Sequence, residues 1–287
     1  MSLKKLSLAA ILMFALCACN NEQPMSTYIP DEGEIQLDVR YPGASRVSDA
    51  AFEAQDQIGV YVTQSEYLLQ LAGNVVNNEQ FTFDGSTWIP RNKVYWNAGS
   101  HNVYAYYPYS ELVDDVENFS FAVSTDQSIT ENYYKSDFLW ASALNVEATN
   151  NPVKLQFEHK LSKVVVKLVK GEKFEGNIPD NAEVYIHSTV AKAVVDLSTG
   201  DTAKDSYAGT ETIKCRKVSA DEYSAIVVPQ SLTSKRPLVE VIVGKVSYLM
   251  DGKISFHQGY MHTLTVTLNQ NPEQVKIEIG GGITGWE

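Results

Sequence analysis

The sequence predicts an all-β protein made of β-sandwiches, and three observations lead to this fold class. Apolar and polar residues alternate with a period of two along much of the chain, whereas the 3.6-residue period of an amphipathic helix is scarce. The alternating segments are short, as strands usually are. Turn-forming sequences such as Asp84-Gly85 and Asp251-Gly252 separate them. Many short strands separated in this way are typical of sandwiches.

The individual strands follow from the same alternation. Strand-like segments lie at 58–62, 81–83, 103–107, 164–168, 239–243 and 264–268. One helix is predicted over 65–73, where Leu68, Leu69 and Leu71 supply apolar positions. The polar run 148–152 ends in Asn-Pro, which favours a turn and interrupts the periodicity. We therefore expect two sandwich domains, one over 31–150 and one over 151–287.

The amino end has the pattern of an export signal. Two lysines precede a short apolar segment, 6–16, which is too short to cross a membrane. Residues 16–19 read Leu-Cys-Ala-Cys, which matches a bacterial lipobox with Cys19 as the lipidated first residue of the mature chain. The alternative is an ordinary signal with cysteines at its edge by chance. We expect a lipoprotein signal peptide at 1–18 and a lipidated tether at 19–30.

Composition limits the function classes. The 287 residues include 23 Lys and Arg against 35 Asp and Glu, which gives a net charge of −12. Apolar residues make up 44% and charged residues 20%, a mixture typical of globular proteins rather than disordered ones. The acidic balance argues against a nucleic-acid partner, because binding to phosphates requires an excess of Lys and Arg.

The sequence lacks the motifs of common enzymes. It has no Gly-x-Ser-x-Gly, no phosphate-binding loop and no His-Glu-x-x-His, so we predict no enzyme activity, no cofactor and no metal. His257 and His262 flank a short turn but make an incomplete metal site. His159 is expected to be buried or to cap a strand, with a ligand role as the alternative. Cys215 is expected to be structural, although basic neighbours can activate a thiol.

Two further clusters leave alternatives open. The acidic residues Glu111, Asp114, Asp115 and Glu117 form either a solvated loop or a calcium site, without the EF-hand spacing. The aromatic residues form either sheet core and subunit contacts or a platform for sugar rings. They are Tyr104, Tyr106, Tyr107, Tyr109 and Trp96. The second alternative describes a surface lipoprotein that binds a glycan or host ligand without polymerising.

Two segments near the ends of the chain share one pattern. Each places three apolar residues on one strand face and a polar pair on the other, so both fit the same groove. The apolar residues are Ile35, Leu37, Val39, Val275, Ile277 and Ile279.

A loop with Pro and Gly follows the first of these segments and carries Arg40 and Arg46. A trypsin-like cut there frees the first strand and opens an apolar slot, which a strand from another copy can fill. Such contacts run head to tail and build filaments. The alternative is that both segments are ordinary edge strands.

Several short motifs, in this order and combination, resemble the fimbrillin family of Bacteroidales, the subunits of type V pili. The resemblance covers nearly the whole chain, from the lipobox to the end. The motifs are Phe52 with 56–61, Trp88 with 94–96, 104–108, 137–141, 157–164, 227–230, and 259–262 leading into 264–268.

The resemblance implies two transthyretin-like β-sandwich domains and export as a lipoprotein to the outer membrane surface. It implies that an Arg-specific protease removes the leader with strand 35–39, after Arg46 or, second, after Arg40. A neighbouring subunit then donates its C-terminal strand to the groove. The donor residues in this chain are Val275, Ile277, Ile279, Ile283 and Trp286.

One feature departs from the family pattern. Three glycines at 280–282 interrupt the donor segment, and glycine weakens a strand. Either they form a bend with Ile283 and Trp286 anchored beyond it, or the end is not a standard donor. The family includes stalk, tip and anchor subunits, and the sequence leaves the role open. The resemblance implies a fimbrial location at the cell surface, with other fimbrial subunits as partners and a host or bacterial surface ligand as a further candidate.

Overall fold

The computed structural model describes residues 33–43, 51–269 and 276–286. The predicted signal peptide, Cys19, Arg46 and Val275 lie outside these ranges. The structure is 54% strand and 3% helix, which confirms the all-β prediction. The strands of the first half are β1 (Leu37–Arg40), β2 (Gln57–Gln64), β3 (Val76–Phe83), β4 (Trp88–Pro90), β5 (Ser100–Tyr107), β6 (Phe119–Ala122), β7 (Leu139–Glu147), β8 (Val153–Gln156) and β9 (Glu158–His159).

The second half continues with eleven strands. They are β10 (Ser162–Lys170), β11 (Glu183–Val190), β12 (Lys192–Val195), β13 (Thr202–Lys204), β14 (Thr210–Lys214), β15 (Arg216–Lys217), β16 (Glu222–Val227), β17 (Gln230–Val243), β18 (Val246–Phe256), β19 (Tyr260–Leu268) and β20 (Lys276–Gly285). A single short helix, α1 (Thr130–Lys135), is present in the described ranges. No helix among these residues is both long and apolar enough to cross a bilayer.

A six-stranded sheet organises the first half, with the order β4-β3-β2-β5-β7-β9. Both faces of its central strands are covered, so six consecutive residues of β2 and of β5 are buried. On one face, Val60 and Val103 join an N-terminal core cluster with β8. On the other face, Tyr61 and Tyr106 join a second cluster that extends through the C-terminal half. The period of two therefore separates two cores, because successive side chains point to opposite faces.

Two sheets pack around that second cluster in the C-terminal half and form a sandwich. One has the order β15-β16-β10-β19-β20 and the other the order β14-β11-β17-β18. Alternate residues of both sheets meet in the shared cluster, among them Val164, Val184, Val239 and Leu264. β10 pairs in parallel with β19, whereas β19 pairs in antiparallel fashion with β20. The predicted strands 164–168, 239–243 and 264–268 are confirmed.

A small sheet of three strands, β13-β12-β6, joins the two halves of the chain. β6 comes from the first half and pairs with β12 from the second, with Phe121 opposite Ala193. Nearby, the Trp140 Nε1–H donates to the Leu197 carbonyl at 2.7 Å. The predicted boundary at 148–152 stays a prediction, but β8, which follows it, packs into the N-terminal cluster through Val153 and Leu155. The halves therefore exchange segments across the predicted boundary.

The helix predicted over 65–73 is wrong. Only Leu69 of its apolar residues is buried, so no helical face meets a core. The Asn74 side chain accepts a hydrogen bond from the Gln70 N–H and donates one to the Gln70 carbonyl. Side chains that bond the backbone in this way compete with helical hydrogen bonds. The segment is therefore a tight surface loop, and α1 forms elsewhere.

Candidate functional site

The N-terminal segment that contains β1 is held by two neighbours and by burial. On one side, the Ile35 N–H donates to the Val94 carbonyl at 2.9 Å, next to a bridge between Glu34 and Tyr95. On the other side, β1 pairs in parallel with β8, with Leu37 opposite Val153. The Val153 N–H donates to the Gln36 carbonyl at 2.8 Å, and the Phe157 N–H donates to the Arg40 carbonyl at 3.0 Å. β1 and β8 form a sheet of only these two strands. Because the ladder is so short, hydrogen bonding alone gives β1 little hold on the fold.

Side-chain burial supplies the rest. Ile35 is 1% exposed and Leu37 is 9% exposed, and both belong to the N-terminal cluster with Leu155 and Phe157. Val39 packs against the same cluster and is partly exposed. The three apolar residues of the predicted displaced strand thus face one core. Removal of β1 would leave an apolar slot beside β8, together with unpaired backbone groups.

The C-terminal strand β20 is built differently. It is ten residues long and forms the edge of the five-stranded sheet against β19. The pairing places Ile279 opposite Leu264 and Ile283 opposite His262, so the strand carries extra residues at the glycine triplet 280–282. Such an excess is a bulge, which bends a strand without ending it. Beyond it, the Trp286 N–H donates to the Gly259 carbonyl at 2.9 Å.

The residues directly after β1 and β20, Tyr41 and Trp286, meet at one buried histidine. The Tyr41 hydroxyl donates to Asp137 Oδ2 at 3.1 Å, and Asp137 Oδ1 lies 3.0 Å from His159 Nδ1. The Trp286 ring stacks on the His159 ring, with centroids 3.7 Å apart and an angle of 5° between the planes. Tyr41 contacts the same imidazole edge-on at 5.8 Å. We call Tyr41, Asp137, His159 and Trp286 the terminal junction.

The junction has a defined electrostatic character. Asp137 and His159 are both buried, and each satisfies the other's polar atom. Burial, followed by the charge of Asp137, raises the pKa of Tyr41 far above its usual range, so its hydroxyl remains a donor. The amino group of Lys163 lies 5.9 Å from the centre of the Trp286 ring. The arrangement holds groups in place and offers no exposed nucleophile.

Arg40 is a poor target for a protease in this fold. Its carbonyl accepts a hydrogen bond from the N–H of Phe157, directly after β8, and the Tyr41 carbonyl accepts one from Gln156 Nε2 at 3.2 Å. Its guanidinium pairs loosely with Asp38 at 3.6 Å on the surface. A protease must hold the chain extended on both sides of the bond that it cuts, so this backbone would first have to leave β8. Arg46 lies outside the described residues.

The histidine and cysteine candidates are structural. His159 is buried in the terminal junction, as expected. The His257 N–H donates to His262 Nε2 at 3.0 Å, so that nitrogen is not available to a metal. Cys215 is buried, and burial raises the pKa of its thiol far above the usual range. Within the described residues, no three His, Cys, Asp or Glu side chains come together as a metal site requires.

The acidic cluster contains a local turn. Asp115 Oδ1 accepts hydrogen bonds from the N–H groups of Glu117 and Asn118, and its other oxygen accepts one from the Asn118 amide. These bonds lower the pKa of Asp115 and orient its carboxylate toward its own loop. This geometry agrees with the solvated-loop alternative.

The aromatic cluster follows the first of its two alternatives, sheet core, rather than a platform for sugar rings. Tyr104, Tyr106 and Trp96 are all buried. The Tyr106 hydroxyl donates to Asn78 Oδ1 at 2.8 Å, and Trp96 Nε1–H donates to the Thr149 carbonyl at 2.9 Å. The Tyr107 hydroxyl donates to Asp56 at 3.2 Å. Both faces of β5 are covered, so its alternating tyrosines enter a core instead of facing solvent.

Sequence reasoning missed two members of the terminal junction. The sequence predicts an exposed loop at Tyr41, because Pro42 and Gly43 follow it. Asp137 begins the motif 137–141, which gives no indication of its partner. One feature of the sequence could have indicated these contacts: Asp137 directly precedes an apolar strand. A carboxylate that is buried there needs a partner. His159 was predicted to be buried, but its contacts with both chain ends are long-range.

Comparisons with known proteins agree with this architecture. Residues 45–286 match the family described as fimbrillin-like. The chain is also 32% identical over 191 residues to Fim1C of Bacteroides ovatus, which is named as a candidate fimbrium tip subunit. That match covers 58% of this chain and 35% of Fim1C, so the chain spans about a third of that relative's length.

Two solved structures share the fold. A candidate cell adhesion protein from Bacteroides ovatus superposes with a TM-score of 0.71 at 22% identity, over 88% of this chain and 97% of that one. A candidate cell adhesion protein from Bacteroides uniformis superposes with a TM-score of 0.68 at 19% identity, over 90% of this chain and 100% of that one. The family match covers most of the sequence, and on this basis the chain belongs to the fimbrillin-like family.

Proposed function

We propose that the chain is a structural subunit of a cell-surface fimbria and that it assembles by exchange of terminal strands. The observation that carries the proposal is the construction of β1, a four-residue parallel strand in which Leu37, together with Ile35 just before it, fills a core. A strand held mainly by its side chains can be replaced by another with the same spacing of apolar residues. The relative Fim1C, named for a fimbrium tip, supports a fimbrial role.

The proposed sequence of events begins with export. Cys19 receives lipid, and the chain reaches the outer membrane with its leader attached. An Arg-specific protease then cuts after Arg46, because the Arg40 carbonyl is bonded to the Phe157 N–H, directly after β8. The cut releases the segment that contains Ile35, Leu37 and Val39, and the slot beside β8 opens.

A neighbouring subunit closes the slot. Its segment 275–286 carries apolar residues at alternate positions, Val275, Ile277 and Ile279, as the released strand does. The backbone bulge at 280–282 lets the strand bend before Ile283 and Trp286 anchor it further along. Each copy gives one strand and receives one, so growth runs head to tail.

Cleavage of the purified chain tests the proposal. A chain that starts after Cys19 is incubated with an Arg-specific protease, and the new amino end is sequenced. We expect a new terminus at Val47, followed by filaments in electron micrographs and ladders that resist SDS. The variant Arg46→Ala should stay monomeric and uncut. Cleavage at Val47 that yields only monomers would contradict assembly by exchange.

Lipidation needs a separate test, because assembly in solution does not depend on it. Cells that express the full chain are labelled with a radioactive fatty acid, and the protein is recovered from membranes. We expect label in the native protein and none in Cys19→Ala. The matched control is Cys17→Ala, which should retain the label.

A further inference from the structure

A pocket opens at one end of the six-stranded sheet. It has a volume of about 390 Å³ and lies beside the loop that follows β2. Its wall includes Thr63, Gln64, Tyr67, Leu68, Gln70 and Asn97. β7 runs between the two sites. Its first residue, Leu139, pairs with His159, whereas Val146 near its other end pairs with His101, which in turn pairs with Gln64 of the pocket. The pocket and the terminal junction are therefore at opposite ends of the sheet.

The loop beside this pocket is fixed in shape and exposes apolar groups. Asn74 bonds both backbone groups of Gln70, and its own N–H donates to Asn77 Oδ1 at 3.0 Å. Leu69 is buried and anchors the loop to the core. Tyr67 is nevertheless 57% exposed and Leu68 is 82% exposed. A rigid loop that holds large apolar side chains in water is a feature of binding surfaces.

Unengaged polar groups surround these apolar residues. The side-chain amides of Gln64 and Gln70 make no hydrogen bond within the described residues, and each offers both donors and an acceptor. The Asn97 amide oxygen contacts His101 Nε2, which leaves the Asn97 NH₂ for a ligand. The Thr63 hydroxyl is buried at the pocket wall and lacks a partner in the described chain. Buried polar groups normally form a hydrogen bond with the protein, a ligand or water.

The charge of the pocket narrows the ligand class. The protein as a whole is strongly acidic, yet none of the residues that line this pocket in the described chain is charged. A charged ligand would therefore find no counter-ion. A ligand with many hydroxyls can use the amides as both donors and acceptors, while the Tyr67 ring covers its apolar face. The volume lies in the range of small-molecule sites and is far smaller than a protein interface requires.

We infer that this pocket binds a neutral carbohydrate, one or two sugar units at the end of a glycan chain. Tyr67 provides the stacking surface, and Gln64, Gln70 and Asn97 bond the hydroxyls. The inference goes beyond the proposed assembly, because the pocket is complete in a single uncleaved copy. It also places carbohydrate recognition away from Tyr104 and Tyr106, which are buried.

A glycan screen with the uncleaved, monomeric chain tests the inference. Neutral and acidic oligosaccharides are displayed on an array, and a bound neutral glycan is then titrated by calorimetry. We expect Tyr67→Ala and Gln64→Ala each to weaken binding about tenfold or more. Tyr207→Ala is the matched control, because Tyr207 is 100% exposed on a different loop, and it should bind as the native protein does.

Salt dependence separates the inference from its rivals. With an uncharged site, the affinity should change less than about twofold between about 50 mM and about 500 mM NaCl. The inference is overturned if only acidic glycans bind, if no glycan binds, or if Tyr67→Ala binds as the native protein does while its thermal unfolding is unchanged. The protease plays no part in this assay, so its outcome is independent of fimbrial assembly.

Discussion

The two terminal strands carry similar sequences but are held in different ways. β1 has four residues and one parallel partner, and both Leu37 and Ile35, which lies just before the strand, are buried. β20 has ten residues along an antiparallel edge and a bulge at 280–282. The ladder of β1 is therefore short and rests on buried side chains, whereas that of β20 is long. Release of β1 would open an apolar slot beside β8.

The terminal junction connects the two strands. Tyr41 lies directly after β1, Trp286 lies directly after β20, and both contact His159. Release of one strand removes one side of the histidine's surroundings. Each strand nevertheless contacts the histidine through its own residue, Tyr41 edge-on and Trp286 by stacking.

The largest expected effect is a loss of stability when a buried side chain next to β1 is truncated. Ile35→Ala should lower the free energy of unfolding by about 3 kcal/mol, because it removes apolar volume from a closed core. Urea unfolding of the uncleaved chain measures this. Asp38→Ala, on the exposed side of the same strand, is the matched control and should change stability by less than about 0.5 kcal/mol. Equal effects in the two variants would contradict a strand held by burial.

A smaller effect is expected at the end of β20. Trp286→Ala should lower the free energy of unfolding by about 1.5 kcal/mol, because it removes the stacking on His159 and the contact with the Lys163 amino group. Hydrogen exchange should speed up in 276–285 and stay unchanged in β8. Trp286→Phe keeps an aromatic ring and should restore much of the protection. Faster exchange in β8 with Trp286→Ala would show that the junction couples the strands more tightly than the contacts suggest.

Much of this fold could be predicted, for a physical reason. Segments such as 58–62 and 264–268 alternate because their side chains alternate between environments, and that signal is local. The burial of the aromatic residues of β5 was harder to predict, because burial on both faces of a strand removes the contrast between apolar and polar positions. The helix over 65–73 was mispredicted because Asn74 competes for the backbone of Gln70.

The candidate site was less accessible to sequence reasoning. The apolar faces of the two terminal segments were visible in the sequence, as was a buried His159. The parallel pairing of β1 with β8 was not, since it joins residues more than a hundred positions apart. The bond from Tyr41 to Asp137 spans 96 positions, and no local pattern encodes it. Contacts of this kind depend on the complete topology.

Acid should weaken the C-terminal strand more than the N-terminal one. His262 lies opposite Ile283 of β20, next to the rings of His257 and Phe256. Burial, with the nearby His257, lowers the pKa of His262, and its Nε2 accepts a hydrogen bond from the His257 N–H. The folded protein therefore favours the neutral form of His262. The stability that it contributes is complete above the ordinary histidine pKa of about 6.5 and is lost as the pH falls toward the lowered value.

The free energy of unfolding, measured at several pH values between about 7.5 and about 5, should fall as the pH falls. His262→Gln should lose less stability over that range than the native chain does. Burial also lowers the pKa of His101, which adds the same trend in both proteins and cancels in the comparison. If the two proteins lose stability in parallel, His262 is not the group responsible.

The smallest expected effect concerns Arg40, the last residue of β1, compared with Arg46. The pair between Arg40 and Asp38 is long and lies on the surface, so Arg40→Ala should change stability by less than about 0.5 kcal/mol. It should also leave the rate and position of proteolysis unchanged, because the Arg40 carbonyl is bonded to the Phe157 N–H. Mass spectrometry of the cleaved chain tests both statements alongside Arg46→Ala. If Arg40→Ala instead abolishes the cut, β1 must leave β8 before the protease acts, and the strand is held less firmly than its buried side chains imply.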